Sequence, residues 1–477
     1  MREEKTTRNY WLLLLLGLTI LVSACSEDST TVSYNDYCYV KSVTLGTIKR
    51  KVERRDRLGK LVNTTYTSVT GSNFLMTIDQ RARTIENRDS LPLGCDLSAV
   101  TAAITFDGSI LKYRTAGSNG GWTAYNSTDS LNLTSPLELE LTSNDGKSTR
   151  NYTLKVNVHK QEADSIYWKQ CESNVPQLSG MNDMKAFVMN GKLTVLASNG
   201  TKVILAERSG TDAEGTWQEE DTDLPLTADL QTLRQQADKL YLSTSDGSIL
   251  SSTDAKAWTQ EGTTYTTELK LIEKTEQFFY AISVTTDENG TTSKLLRSTD
   301  AATWEEDELD SQATLLPTYG IRALTMQQAN GNTRIVMVGQ RDSKGEGEEY
   351  KNAIVWNKMW NESEKEEEAQ WMYFPLSDDN IVPCPRLQYL NLLPYDGKCI
   401  ALGGASTDGK HKALHAAYVS QDYGITWRTD SEIHLPIQLE GTDGCITSTV
   451  DKNNFIWIIT NAQVWRGRLN RLGFAQQ

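Results

Sequence analysis

Apolar and polar residues alternate in short runs between residues 37 and 160. The pattern is visible in Ile104-Thr105-Phe106, Ser109-Ile110-Leu111-Lys112-Tyr113, Leu137-Glu138-Leu139-Glu140-Leu141 and Tyr152-Thr153-Leu154-Lys155-Val156-Asn157-Val158. Turn-forming clusters separate them, among them Ser118-Asn119-Gly120-Gly121 and Asn144-Asp145-Gly146. A period of two with such punctuation predicts short strands and a β-sandwich over 37–160. Beyond 160 the signal changes to recurring tryptophans, at 168, 217, 258, 304, 371 and 427. Most are followed by an aliphatic-proline pair: Val175-Pro176, Leu224-Pro225, Leu316-Pro317, Val382-Pro383 and Leu435-Pro436. The spacing, roughly 40 to 65 residues, is that of four-stranded propeller blades, and it predicts six of them over 161–477. Ser165 to Gln170 is expected to form the outermost strand of the last blade. That blade's other strands are expected at 445–450, 455–460 and 463–469, so strands from both ends would close the ring.

Ser420-Gln421-Asp422-Tyr423-Gly424-Ile425-Thr426-Trp427 explains the tryptophans. Short oxygens at Ser420 and Asp422 can hold a tight turn, Gly424 permits positive φ, and Trp427 offers apolar surface to a neighbouring sheet. Shortened or degraded copies run from Asp212 to Trp217, Asp254 to Trp258 and Asp300 to Trp304. The pattern resembles the Asp-box of sialidase-like propellers. That resemblance implies that Asp212, Asp254, Asp300 and Asp422 are structural and lie on the face away from the ligand. The fourth unit departs from it: Asn361-Glu362-Ser363-Glu364-Lys365-Glu366-Glu367-Glu368 replaces the turn and reads as a solvated acidic loop.

A wider resemblance rests on Ile85-Glu86-Asn87-Arg88-Asp89-Ser90-Leu91-Pro92, the Asp145-Gly146 turn, and Val156-Asn157-Val158-His159 leading to Asp164 and Trp168. These are similar to a group of Gram-negative surface lipoproteins joining an immunoglobulin-like or cadherin-like module to an Asp-box propeller. The likeness implies architecture and location, and brings no substrate or catalytic residues.

The N-terminus supports that location. Arg2, Lys5 and Arg8 precede an apolar run over 11–24, too short at ~1.5 Å per residue to span a ~30 Å bilayer core as a helix. It ends in Val22-Ser23-Ala24-Cys25, which looks like a lipobox, so Cys25 is the candidate lipidation site after a leader of residues 1–24. The alternative is an ordinary signal peptide with a chance cysteine. Ser26-Glu27-Asp28 resembles a surface-export signal, and residues 25–36 read as a tether. The expected location is the outer membrane, lipid-anchored and facing outward, with several acyl chains for stable hold.

Composition changes the picture little. The 477-residue chain is 38% hydrophobic and carries a formal net charge of −14, which argues against nucleic-acid partners. The basic stretch at 49–60 reads as a solvated strand and loop, with docking of a partner as the alternative. Six cysteines besides Cys25 (38, 95, 171, 384, 399, 445) contain no C-x-x-C, and buried thiols compete with bridges. His411 and His415 lie in a loop and strand where their spacing gives no convergence, so neither metal nor cofactor is expected. A sialidase would need an Arg-Ile-Pro element, which is absent. Ligand contact is expected on the rim opposite the Asp-boxes, in loops 286–292, 341–351 and 405–412. The candidates on that side are Arg341, Lys410 and His411 in the loops, and Tyr319, Arg322 and Arg386 near the starts of inner strands. The reading favoured is a non-catalytic protein binding glycan or protein ligands. The alternatives are a divergent sialidase-like glycoside hydrolase and a structural subunit of a surface assembly.

Overall fold

The computed structural model describes residues 35–55, 60–288, 290–341, 352–375, 382–430 and 432–474. Cys25, the leader, the first part of the tether and most of loop 341–351 lie outside them. The chain is all-β and divides into two units, the first comprising residues up to Val52 and Thr65–His159, the second Glu53–Thr64 and the residues from Lys160 onward.

In the N-terminal unit a three-stranded sheet runs Tyr39–Leu45, Val100–Asp107, Ser130–Leu131. A six-stranded sheet runs Met76–Asp79, Thr84–Asn87, Thr149–Lys155, Leu137–Thr142, Ile110–Thr115, Thr123–Ala124. Alternation decides which side chains meet. Val40, Val43, Leu45 and Ile104 from the first sheet share one core with Leu139, Leu141, Tyr152 and Leu154 from the second. The buried phenol of Tyr152 donates to Gln80 Oε1 at 2.7 Å. Thr47–Arg55 and Leu61–Thr70, which contain much of the basic stretch, form a separate two-stranded ribbon.

Six four-stranded antiparallel sheets follow among the described residues. Five are sequential, over 183–220, 234–261, 268–306, 319–374 and 391–429. In the sixth, Ile446–Val450, Ile456–Thr460 and Gln463–Leu469 accept Ile166–Glu172 as the fourth strand. Trp168 sits opposite Gly467, and Gln170 opposite Trp465. The close approach requires glycine: a Cβ at Gly467 would lie 2.4 Å from the Trp168 ring. The Trp168 indole nitrogen donates to the carbonyl of His434 at 2.7 Å.

The middle strands are mostly buried and apolar, as in Ile456–Thr460, because neighbouring sheets cover both faces. The fourth strands are covered less, and all but Trp371–Phe374 carry charge, as in Trp217–Glu220. Polar side chains join the inner strands in cyclic order. Ala186 N donates to Thr447 Oγ1 (2.8 Å), Asn391 Nδ2 to the Ile446 carbonyl (3.1 Å) and Arg322 Nε to the Leu390 carbonyl (2.8 Å). Thr325 Oγ1 donates to Glu273 Oε2 (2.6 Å), Leu271 N to Ser243 Oγ (3.1 Å) and Gln231 Nε2 to the Met184 carbonyl (2.9 Å).

The fourth unit corrects one expectation. Glu366, read as part of a solvated loop, is buried. It accepts hydrogen bonds from Thr275 Oγ1 at 2.6 Å and Tyr280 Oη at 3.0 Å, tying the turn to the third sheet. Beside it, buried Lys358 reaches Asp307 Oδ2 at 2.9 Å, and the Trp371 indole donates to the same oxygen at 2.8 Å. One carboxylate of the insertion can be buried because hydroxyl groups of the adjoining unit satisfy it.

Candidate functional site

The aspartate turns hold themselves. Asp422 Oδ1 accepts from Ser420 Oγ (2.7 Å) and Thr426 N (2.8 Å), its Oδ2 from Thr426 Oγ1 (2.6 Å), and Ser420 Oγ accepts from Gly424 N (2.7 Å). Burial opposes ionisation of Asp422, yet these donors keep its pKa below the ordinary value. Gly424 has φ +96°, and the Trp427 indole returns to its carbonyl at 2.8 Å. Asp254 accepts from the amides of Lys256 and Ala257, and Asp300 from those of Ala302 and Thr303. In these shorter copies an alanine, Ala255 or Ala301, takes the positive φ. Asp212 departs from expectation. It offers its backbone carbonyl to Arg208, while Ser209 Oγ accepts from Thr216 N. A serine before the turn suffices there because buried Arg208 braces the loop from inside.

The six candidate rim residues do not form one site. Arg386, Lys410 and His411 line a cleft of about 520 Å³ between the fourth and fifth sheets. Tyr319 joins them through a hydrogen bond from Arg386. Arg341 bridges the third and fourth sheets through the carbonyls of Thr291 and Leu316. Arg322 lies elsewhere, on a first strand with its guanidinium held by the carbonyls of Leu390 and Ile321.

The larger cavity is central. It measures about 810 Å³ and is lined from the first strands of all six sheets: Lys185, Arg234, Glu273, Thr325, Leu393 and Ser448 mark one each. It opens beside Glu276 and Gln277, in a first turn, and Asn361 and Glu362, in a third turn. Antiparallel strands put both kinds of turn at one end, the end of the aspartate turns at Asp254, Asp300 and Asp422, so the cavity is not on the expected face. At the opposite end the strand starts are tied together. Asp183 accepts from the Gln231 side chain, Asp229 from Gln231 N at 3.1 Å, and Lys270 lies 3.3 Å from Asp229.

Electrostatics single out one residue. Burial first, then the neighbouring Arg234 and Arg322 guanidinium groups, push the Lys185 ammonium down to about 7, against the pull of Asp183 and Asp229. Burial likewise raises the Asp183 and Glu273 carboxyls. Sequence reasoning found Arg322 and missed Lys185, Asp183, Asp229, Arg234 and Glu273. A signal existed: Asp183-Met184-Lys185 puts two charges with a period of two on a strand whose other residues are apolar. No cluster of possible metal ligands occurs among the described residues.

Residues 162–477 match the DUF6242 beta propeller domain, and residues 43–156 match the DUF6242 N-terminal domain. The chain belongs to the DUF6242 family. Its second unit is therefore a β-propeller. No curated protein matches the DUF6242 chain. Solved structures similar to it include an α-L-arabinofuranosidase of Fusarium graminearum in complex with an iminosugar inhibitor (11% identity, 65% of this chain and 98% of that one, TM-score 0.38). Others are a streptogramin B lyase (12%, 65% and 99%, TM-score 0.34) and YCF48 from Cyanidioschyzon merolae (11%, 63% and 98%, TM-score 0.30).

Proposed function

We propose that this protein is a lipid-anchored, outward-facing outer-membrane binding protein whose six sheets are the blades of the propeller and whose central cavity receives a glycan. The N-terminal unit, read as an immunoglobulin-like sandwich, serves as the spacer above Cys25. The observation that carries the reading is the cavity itself. It has the volume of a small-ligand site, roughly 300–1,000 Å³, is rigidly framed, and gathers charged and hydroxyl groups from five of the six first strands. Such a volume suits one or a few sugar units better than a protein surface, which makes glycan the favoured half of the glycan-or-protein expectation.

A glycan array probed with the purified chain, alongside hydrolysis of reporter glycosides, tests this. Retention of a defined glycan class without turnover is the expected result. Turnover would establish the hydrolase reading instead. That second reading has one observation in its favour: Asp183 and Asp229 are bridged through Gln231, and burial raises the Asp183 carboxyl in the manner of a general acid. Loss of turnover in Asp183→Asn would then assign the acid.

A further inference from the structure

Resting on the glycan reading, the surroundings of Lys185 narrow the ligand. The other cations around the cavity are occupied: Lys274 donates to the Thr275 carbonyl at 2.6 Å and Lys365 lies 3.9 Å from Glu367. Arg234 is held by the carbonyls of Ile272, Gln231 and Leu233, and Arg322 by those of Leu390 and Ile321. Lys270 is shared by Asp229 and Glu268. Of the carboxylates, Asp183 is held by Gln231, Asp229 by Gln231 and Lys270, Glu273 by Thr325 and the amide of Lys274, and Glu366 by Thr275 and Tyr280, while Glu276, Glu362 and Glu367 belong to the turns where the cavity opens. The fifth and sixth sheets contribute Leu392, Leu393, Pro394, Ser448, Thr449 and Val450, with no charge. The Lys185 ammonium alone has no hydrogen bond or ion pair with any described residue, and it faces the cavity. Lys185 is half-buried and borders the cavity, so its ammonium is presented to whatever enters the cavity rather than to a protein carboxylate.

We propose that Lys185 recognises a carboxylate-bearing sugar, whose carboxylate completes in the cavity the ion pair that the protein leaves open. Arg234 lines the same cavity, a second positive charge held by backbone carbonyls rather than by a carboxylate. The charge balance has a consequence. With its pKa near 7, Lys185 is mostly neutral at pH 8. Binding a carboxylate must therefore draw one proton from solvent onto Nζ, giving an ammonium–carboxylate pair.

The test is isothermal titration of tetragalacturonate into the full purified chain, in two buffers of different ionisation enthalpy. Uptake of roughly one proton at pH 8, falling to about a tenth at pH 6, is expected for a group titrating near 7. Lys185→Met should weaken binding about tenfold or more, the scale of a lost charged partner in an enclosed site. Lys185→Arg, whose charge cannot titrate, should bind at pH 8 with no proton uptake. Thermal unfolding of each variant establishes that it is folded. Binding that leaves proton uptake at zero, or survives Lys185→Met unchanged, overturns the proposal. If maltotetraose binds and tetragalacturonate does not, the acidic specificity fails while the glycan reading stands. If no saccharide on the array binds, both fall.

Discussion

Lys185 makes a statement about stability as well as about binding. Its ordinary pKa of 10.5 falls to about 7 in the folded chain, so folding disfavours the protonated amine. The cost is complete below about pH 7 and vanishes above about pH 10.5. Lys185→Met should therefore raise the unfolding free energy by on the order of 1–2 kcal/mol at pH 6–7, the gap closing toward pH 10.5 in urea titrations. A variant less stable than the parent across that range would refute the assignment of an unpaired amine. Lys358 gives the opposite case. It is buried against Asp307, and Asp307→Ala leaves its charge without its carboxylate and Trp371 without its acceptor. A loss of roughly 3 kcal/mol is expected, as for other broken buried pairs, read from the denaturation midpoint.

At the scale of elements, the aspartate turn is a self-contained device. Its donors, acceptor and positive-φ residue lie within Ser420 to Trp427, which is why the pattern was legible in the chain. Gly424→Ala should cost about 1–3 kcal/mol, from left-handed backbone and from a methyl placed 2.9 Å from Val336 Cγ1. The strand Ile166–Glu172 is different in kind, because its partner is some 300 residues away in the chain. Trp168→Ala removes a half-buried indole stacked on Gly467 and its bond to the His434 carbonyl. Roughly 2–3 kcal/mol should be lost, below the ~3–5 of a fully buried tryptophan. Differential scanning calorimetry would show a lowered transition for the propeller; an unchanged one would mean that the closing strand adds nothing to its stability.

For the whole molecule, cysteine chemistry joins the fold to the proposed location. All six cysteines in the described residues are free, and Cys38, Cys384, Cys399 and Cys445 are buried. Burial pushes the Cys399 and Cys445 thiols up to about 12, so the native chain should react slowly with thiol reagents. Denatured without reductant, the chain isolated from its host should titrate six thiols if Cys25 is acylated, and seven if it is not. Cys25→Ala should also abolish incorporation of labelled palmitate and release the protein from the membrane fraction.

Much of the architecture follows from local pattern. Period-two alternation in residues 137–141, the turn around Asp422 and the recurring tryptophans are short-range facts of the chain, each with a short-range cause. They determined strands, turns, the repeat and the pairing of Trp168 with the chain's end. Partnership across sheets has no such local cause. Whether Glu366 meets water or Tyr280, whether Arg322 and Arg386 converge, and which end of the channel stays open depend on side chains brought together from distant segments. Tertiary structure alone decided that Lys185 stands unpaired in the cavity, because being without a partner is a property of every neighbour at once.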